Sequence, residues 1–112
     1  MKIALPVTDN QLCMHFGHCE KFALYEVEEK TKTISSHDYL IPPPHEPGLL
    51  PVWLAEKGVN CIIAGGMGSR AQQLFAEQKI KVITGASAKD PKIVIDEYLN
   101  ENLVTGANVC DH

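Results

Sequence analysis

The sequence predicts an α/β domain built on a mixed five-stranded sheet with helices on both faces. Three observations carry that prediction. Apolar, β-branched runs open the chain at Lys2 to Val7 and recur at Val59 to Ala64 and Lys81 to Thr84. The later runs alternate with helical stripes, a βαβα rhythm that implies parallel strands joined by right-handed crossovers. The runs that begin at Phe22 and Thr33 are separated by only Glu28-Glu29-Lys30-Thr31-Lys32, too short for a crossover helix, so they form an antiparallel hairpin. With strands numbered along the chain, the expected order is 3-2-1-4-5, strand two running against the others.

Taken in order, Lys2 to Val7 is a central strand that should end near Pro6, before the turn-prone Thr8-Asp9-Asn10. Phe22 to Val27 is the second strand, with Phe22, Leu24 and Glu26 on one face. Thr33 to Leu40 is the third and is weakly patterned, with Ile34 and Tyr39 as its apolar contacts and His37 facing solvent. Pro42-Pro43-Pro44-His45-Glu46-Pro47-Gly48 excludes both helix and central strand and reads as a stiff extended loop. Leu49 to Lys57 is a short helix with Leu50, Trp53 and Leu54 on one stripe, closed by Gly58. Ser69 to Lys79 is the next helix, with Ala71, Leu74, Phe75 and Gln78 along its inner side. Asp90 caps the last helix and Pro91 occupies its first position, the helix running to about Asn100. Leu103-Val104 adds a short final contact. Residues 1–104 form a single domain and 105–112 a flexible tail.

With 112 residues, 45% of them hydrophobic, the chain is long enough for a real core. Its net charge of −4 and scattered lysines and arginines present no basic face, which argues against nucleic acid and anionic membranes as partners. No run approaches the ~20 apolar residues of a membrane span, and no signal-peptide pattern opens the chain. The expectation is a cytoplasmic protein whose four cysteines are ligands or buried thiols rather than disulfides.

The chemistry gathers in Cys13-Met14-His15-Phe16-Gly17-His18-Cys19, where two thiols and two imidazoles fall within seven residues. Soft sulfur and borderline nitrogen at this density suit a transition metal or a metal–sulfur cluster better than a hard cation. The spacing C-x-H-x2-H-C matches no standard zinc finger. Such crowding is oxidation-prone unless it is used, which argues against incidental thiols and surface histidines. Met14 reads as a loop plug and Phe16 as an apolar anchor. Cys61, in the middle of an apolar strand, reads as a buried small hydrophobe. His45, held between prolines, either caps its own loop or enters the metal site. Cys110 and His112 end the tail with two further donors. The Gly65-Gly66-Met67-Gly68 turn offers bare amides at a helix N-terminus, an arrangement that receives anions, with Arg70 as a counter-charge. It lacks the lysine and spacing of a P-loop. The same glycines also serve as a tight turn that packs the helix on the sheet. Ligands of open α/β sheets settle at the carboxyl ends of the parallel strands, near the switch in strand order. The expected topology puts the Cys13–Cys19 loop and the glycine turn side by side there.

These features together give the chain a family likeness. Met1-Lys2-Ile3-Ala4-Leu5-Pro6-Val7, His15-Phe16-Gly17 before the Phe22 strand, Gly65-Gly66-Met67-Gly68 before Ala71 and Leu74, and the Gly106 to His112 end resemble the dinitrogenase iron–molybdenum cofactor biosynthesis family. That group includes NifX-type carriers and the carboxyl-terminal domain of NifB. The Cys13–Cys19 loop, the proline stretch through Pro51 and Cys110-Asp111-His112 resemble a short stand-alone subgroup. The resemblance implies a ribonuclease H-like fold without nuclease activity that binds or carries an iron–sulfur or iron–molybdenum cluster. The family histidine before Phe-Gly falls on His15. The extra cysteines depart from minimal nitrogenase carriers.

The leading expectation is a non-catalytic carrier or scaffold for such a cluster, with Cys13, His15, His18, Cys19, His45, Cys110 and His112 as metal ligands. Its partners are the cluster and a donor or acceptor metalloprotein, and it acts as a monomer or a cluster-bridged homodimer. The alternative is a structural or regulatory zinc site in a protein-interaction domain. Catalysis is not expected. A two-metal nuclease needs clustered carboxylates, and only Asp9 and Asp38 lie near suitable strands. A Cys13 or Cys19 nucleophile paired with His15 or His18 has no third residue to orient it.

Overall fold

The computed structural model describes residues 1–13, 19–44, 48–103 and 105–106. Strand β1 (Lys2–Thr8) is buried along its whole middle, as a run of apolar residues covered on both faces must be. The chain then turns through Asp9 and Asn10, both in the left-handed region (φ 54° and 63°), into a two-residue strand β2 (Gln11–Leu12). Asn and Asp tolerate that conformation better than other side chains bearing a Cβ. β3 (Lys21–Glu28) and β4 (Thr33–Leu40) form the expected antiparallel hairpin, and β4 has the predicted bounds. Helix α1 (Leu49–Glu56), β5 (Cys61–Ile63), α2 (Ser69–Glu77), β6 (Lys81–Ile83) and α3 (Pro91–Leu99) complete the order.

The main path of the sheet is β4-β3-β1-β5-β6, with β1 antiparallel to β3 and parallel to β5, and β5 parallel to β6. The sheet differs in detail from the five strands expected: β2 pairs antiparallel with the top of β1 and makes six. The first strand also runs past Pro6 to Thr8. The Pro6 carbonyl accepts from the Cys13 N–H at 2.8 Å on the β2 side. The donor that proline lacks lies on that same side, beyond the two β1–β5 pairs at Ile3 and Ala4, so no ladder bond is lost there.

Alternation along the central strands splits the interior into two apolar layers. On one face Ile3, Leu5, Val7, Ala23, Tyr25, Cys61 and Ile63 pack against Val94, Ile95 and Leu99 of α3. On the other, Ala4, Phe22 and Ile62 pack against Leu50 and Leu54 of α1 and Phe75 of α2. Helices thus cover both faces. The caps are those the sequence implies. The Asp90 carboxylate accepts from the Lys92 N–H at 2.9 Å with Pro91 in the first turn, and Gly58 follows α1 at φ 83°. Two expectations shift. Gln78 is not on the inner side of α2 but exposed at its C-cap, because the helix ends two residues early and the chain reverses at Lys79 (φ 61°). Tyr39 is 45% exposed on the edge strand, where the Lys21 ammonium lies 4.3 Å from its ring centre. Glu26, half-buried and in alternation with Phe22 and Leu24, has its carboxylate 3.7 Å from the terminal amine of Met1. Leu103 makes the late apolar contact expected of it, and Val104 lies outside the described residues.

Candidate metal centre

The parallel strands β1, β5 and β6 all point their carboxyl ends toward one edge, and a chain of backbone hydrogen bonds runs across it. Cys13 hangs from β1 through its N–H, bonded to the Pro6 carbonyl at 2.8 Å. Its own carbonyl accepts from the Gly65 N–H at 3.4 Å, tying the cysteine loop to the glycine turn after β5. The Gly65 carbonyl accepts from the Gly85 N–H at 2.8 Å, after β6, and the Gly85 carbonyl accepts from the Gly106 N–H at 2.7 Å. Leu12, one residue before Cys13, donates to the Lys89 carbonyl at 2.8 Å, so the start of α3 braces the same loop. The far end of the loop is held as well: Glu20 donates its N–H to the Val7 carbonyl at 3.0 Å, and the Glu20 carboxylate accepts from the Asp9 N–H at 2.8 Å. The loop therefore leaves and rejoins the sheet at neighbouring residues of β1.

Both thiols that the structure describes at this edge are sheltered. Cys13 is buried, and Cys19 is half-buried against the apolar layer of α1 and α2. Burial pushes the Cys19 thiol up to about 12, with the nearby Cys13 adding to the rise and a backbone hydrogen bond opposing it. The two sulfurs lie within electrostatic reach of each other, and the Cys19 thiol keeps its proton at neutral pH. Met67, in the glycine turn, buries its thioether in the same apolar layer. Its carbonyl accepts from the Gln72 side-chain amide at 2.9 Å, and the Gly68 carbonyl accepts from the Gln72 N–H at 3.1 Å. These two bonds lock the turn onto the first turn of α2. Among the described residues the Gly66 and Gly68 amides have no acceptor. Gly68 is the N-cap of α2 and supplies no side-chain cap, and Arg70 stands exposed one residue into the helix.

Of the predicted ligands, Cys13 and Cys19 are brought together, beside the predicted Gly65–Gly68 turn. His15, His18, His45, Cys110 and His112 lie outside the described residues, as do Met14, Phe16 and Gly17. Their points of attachment are described. Gly48, three residues after His45, lies against α2, where a Cβ would stand 3.9 Å from a Leu74 methyl. Gly106, four residues before Cys110, is bonded to the carboxyl edge. Cys61 is fully buried on the opposite, α3 face, as its position in an apolar strand implies, and its thiol is pushed up to about 11 by burial, with Lys81 opposing. His37 is exposed and stacks on Tyr25 at 5.3 Å, away from this edge.

Sequence reasoning overlooked Gly85. It sits at φ 85°, and a Cβ there would collide with the Gly106 carbonyl. The available signal was a lone glycine directly after an apolar strand, which marks a left-handed residue or a close backbone approach. The partner in that approach is 21 residues downstream and leaves no local trace.

Comparison with known proteins adds a second line. A family model described as dinitrogenase iron–molybdenum cofactor matches residues 1–101. The chain belongs to the dinitrogenase iron–molybdenum cofactor family. An uncharacterized protein of Methanocaldococcus jannaschii is 40% identical over 86 residues, covering 73% of this chain and 72% of its own. Among solved structures, PH0822 matches with a TM-score of 0.86 at 25% identity, covering 94% of each chain. The apo form of the orange protein from Desulfovibrio gigas matches in fold, with a TM-score of 0.71 at 20% identity over 96% of this chain and 93% of that one. Among the described residues no helix is long and apolar enough to cross a membrane.

Proposed function

We propose that this member of the family carries or scaffolds a metal–sulfur cluster of iron–sulfur or iron–molybdenum type, as cargo in metallocofactor assembly, and catalyses no reaction on it. The observation that carries the reading is the Gly65 N–H bond to the Cys13 carbonyl, which brings the donor-rich loop and the amide-rich turn to one edge. Two adjacent thiols suit iron or molybdenum bound through sulfur, and each must lose its proton to bind. Cys13 and Cys19 are the primary ligands, joined by His15 and His18 from the same loop. His45, Cys110 and His112 are the outer ligands. From Gly106, Cys110 lies within about 14 Å of extended chain and His112 within about 20 Å, enough to span a small site. The amides of Gly66 and Gly68 receive the anionic face of the cluster, with Arg70 as counter-charge. The covering of both sheet faces by helices supports a ribonuclease H-like three-layer fold put to binding rather than cleavage.

The cargo passes to or from a metalloprotein in the cytoplasm, and the chain works as a monomer or as a dimer bridged by the cluster. Nothing favours zinc over a sulfur-bridged cluster. The test is anaerobic purification, reconstitution with iron and sulfide with and without molybdate, and metal, sulfide and visible-absorption analysis. Stoichiometric metal with sulfide-to-metal charge-transfer bands is expected. Colourless protein that takes up no metal would defeat the proposal.

A further inference from the structure

We infer that the amino edge of the sheet carries a second binding site, a half-open hollow that takes a small zwitterion of the α-amino acid class. The hollow has a volume of about 460 Å³ and is lined by Glu29, Lys32, Lys81, Tyr98, Leu99 and Glu101. Small-molecule sites span ~300–1,000 Å³, and the hollow falls within that range. Three parts of the fold bring these residues together. β3 runs against β1, so the Glu29–Lys32 turn that follows it lies at the amino edge. β6 runs with β5 and β1, so Lys81 at its start lies there as well. α3 starts beside the cysteine loop, where the Lys89 carbonyl accepts from Leu12, and its end carries Tyr98, Leu99 and Glu101 to the opposite edge. The hollow is thus remote from the cysteine loop, and the inference stands apart from the cluster reading.

Lys81 pairs in register with Cys61, which lies on the α3 face, so the lysine side chain leaves the sheet on that face too. Burial raises the Cys61 thiol to about 11, with Lys81 opposing and Glu29 adding to the rise. Burial, Cys61 and Glu29 push the Tyr98 phenol up. The hairpin turn and β6 therefore bring opposite charges toward one place. Among the described residues, however, none of the four charged side chains lining the hollow is in an ion pair or a hydrogen bond, and the Tyr98 hydroxyl has no hydrogen-bond partner. Two ammonium groups and two carboxylates cancel in sum, so a lone anion or cation meets no net attraction. An apolar ligand would strip water from four ions and gain only Leu99. A molecule with one charge of each sign can meet a lysine and a glutamate at once, and the Tyr98 hydroxyl can donate to its carboxylate. The backbone adds a second observation. Lys32 (φ 57°) and Glu101 (φ 60°) are both left-handed, a conformation that glycine or asparagine adopts at lower cost, yet each position carries a charged side chain.

The test is a titration of the full-length protein followed by amide shifts in two-dimensional NMR. Glycine and L-glutamine are the probes, with acetate and methylammonium as single-charge controls. Both zwitterions are expected to give saturable shifts at Glu29, Lys32, Lys81, Tyr98 and Glu101. The dissociation constant should lie at or below about 1 mM, the scale that two charge-assisted contacts support. Neither control should saturate in that range. Lys81→Met and Glu101→Gln should each weaken glycine binding by about tenfold. Lys92→Met, exposed at the other end of α3, should leave it unchanged. Saturation by either control in that range would overturn the inference, because the site would then select a single charge. The absence of saturable shifts with the zwitterions would overturn it as well, as would undiminished affinity in Lys81→Met and Glu101→Gln. Every arm omits iron and sulfide, so failure here leaves the cluster reading standing, and failed reconstitution would leave the hollow's ligand to be decided by these shifts.

Discussion

Cys19 shows how a single residue ties burial to chemistry. Its thiol, pushed up to about 12 chiefly by burial and then by Cys13, holds its proton at neutral pH. A metal at this site therefore has to displace protons, and uptake should strengthen as pH rises. Competition with a chelator at pH 6, 7 and 8 should show affinity rising by up to about tenfold per pH unit for each proton released. Cys13→Ser and Cys19→Ser should each weaken retention by at least about tenfold, since a hydroxyl is a poor substitute for a thiolate toward soft metals. The same neutral groups set an alkaline limit on the fold. Burial raises Cys61 from 9.0 to about 11 and Tyr25 from 10.0 to about 12. Below pH 9 both states of the chain hold these protons. Between 9 and 12 the unfolded chain loses them first, so stability declines through that window. Urea denaturation at pH 8 and pH 10.5 should show the fall, and Cys61→Ala, though less stable at pH 8 by about 1 kcal/mol, should show a shallower one. At this scale the sequence was legible where donors crowd. Cys13 and Cys19 announce themselves by density, and Cys61 by its apolar neighbours. Gly85 does not, because its meaning lies in a contact with Gly106 that no local pattern encodes.

Among elements, α3 links stability to the site. Its cap is the Asp90 carboxylate on the Lys92 N–H, and its apolar side buries Val94, Ile95 and Leu99. The residue just before the cap, Lys89, accepts the Leu12 N–H, which holds β2 and hence Cys13. Asp90→Ala should cost about 1 kcal/mol, read as a fall in Tm of roughly 4 °C. Fraying of the first turn should also appear as faster exchange at the Leu12 amide, and unchanged Leu12 exchange would show that α3 does not brace the loop. The elements best read from sequence are those with their own punctuation. The Asp90-Pro91 start of α3 and the polar turn before β4 are of this kind. β2 escaped because two residues carry no periodicity, and it exists only because Val7 and Thr8 extend beyond β5 and leave an edge to pair with. The strand assigned to Val59–Ala64 narrows to Cys61–Ile63, although Val59 and Ala64 stay buried, because β5 has ladder partners only in its middle. Gln78 misled because a helical stripe says nothing about where the helix stops.

Across the whole molecule, the carboxyl edge depends on the sheet order. β1 lies between β3 and β5, so the described ends of the cysteine loop stand on its two sides: Cys13 bonds to Pro6 on the β5 side, and Glu20, next to Cys19, bonds to Val7 on the β3 side. The topology that predicts this placement was legible in sequence, because a short hairpin followed by βαβ units admits few arrangements. A ligand held by Cys13 and Cys19 would connect the two halves of the sheet that meet at β1, and so would oppose unfolding of the whole domain rather than local fraying of a loop. Binding to the folded state alone stabilises by mass action, about 2.7 kcal/mol when free ligand is at a hundred times its dissociation constant. For a chain of this size that corresponds to a rise in Tm of roughly 10 °C. Thermal unfolding followed by circular dichroism, before and after anaerobic reconstitution with iron and sulfide, should show that rise and its reversal by chelator. Cys13→Ser, with its affinity at least about tenfold weaker, should remove about half of the rise or more. A cluster that binds with the expected colour and leaves Tm unchanged would mean that the unfolded chain holds it as tightly, and the folded carboxyl edge would then contribute nothing to its affinity.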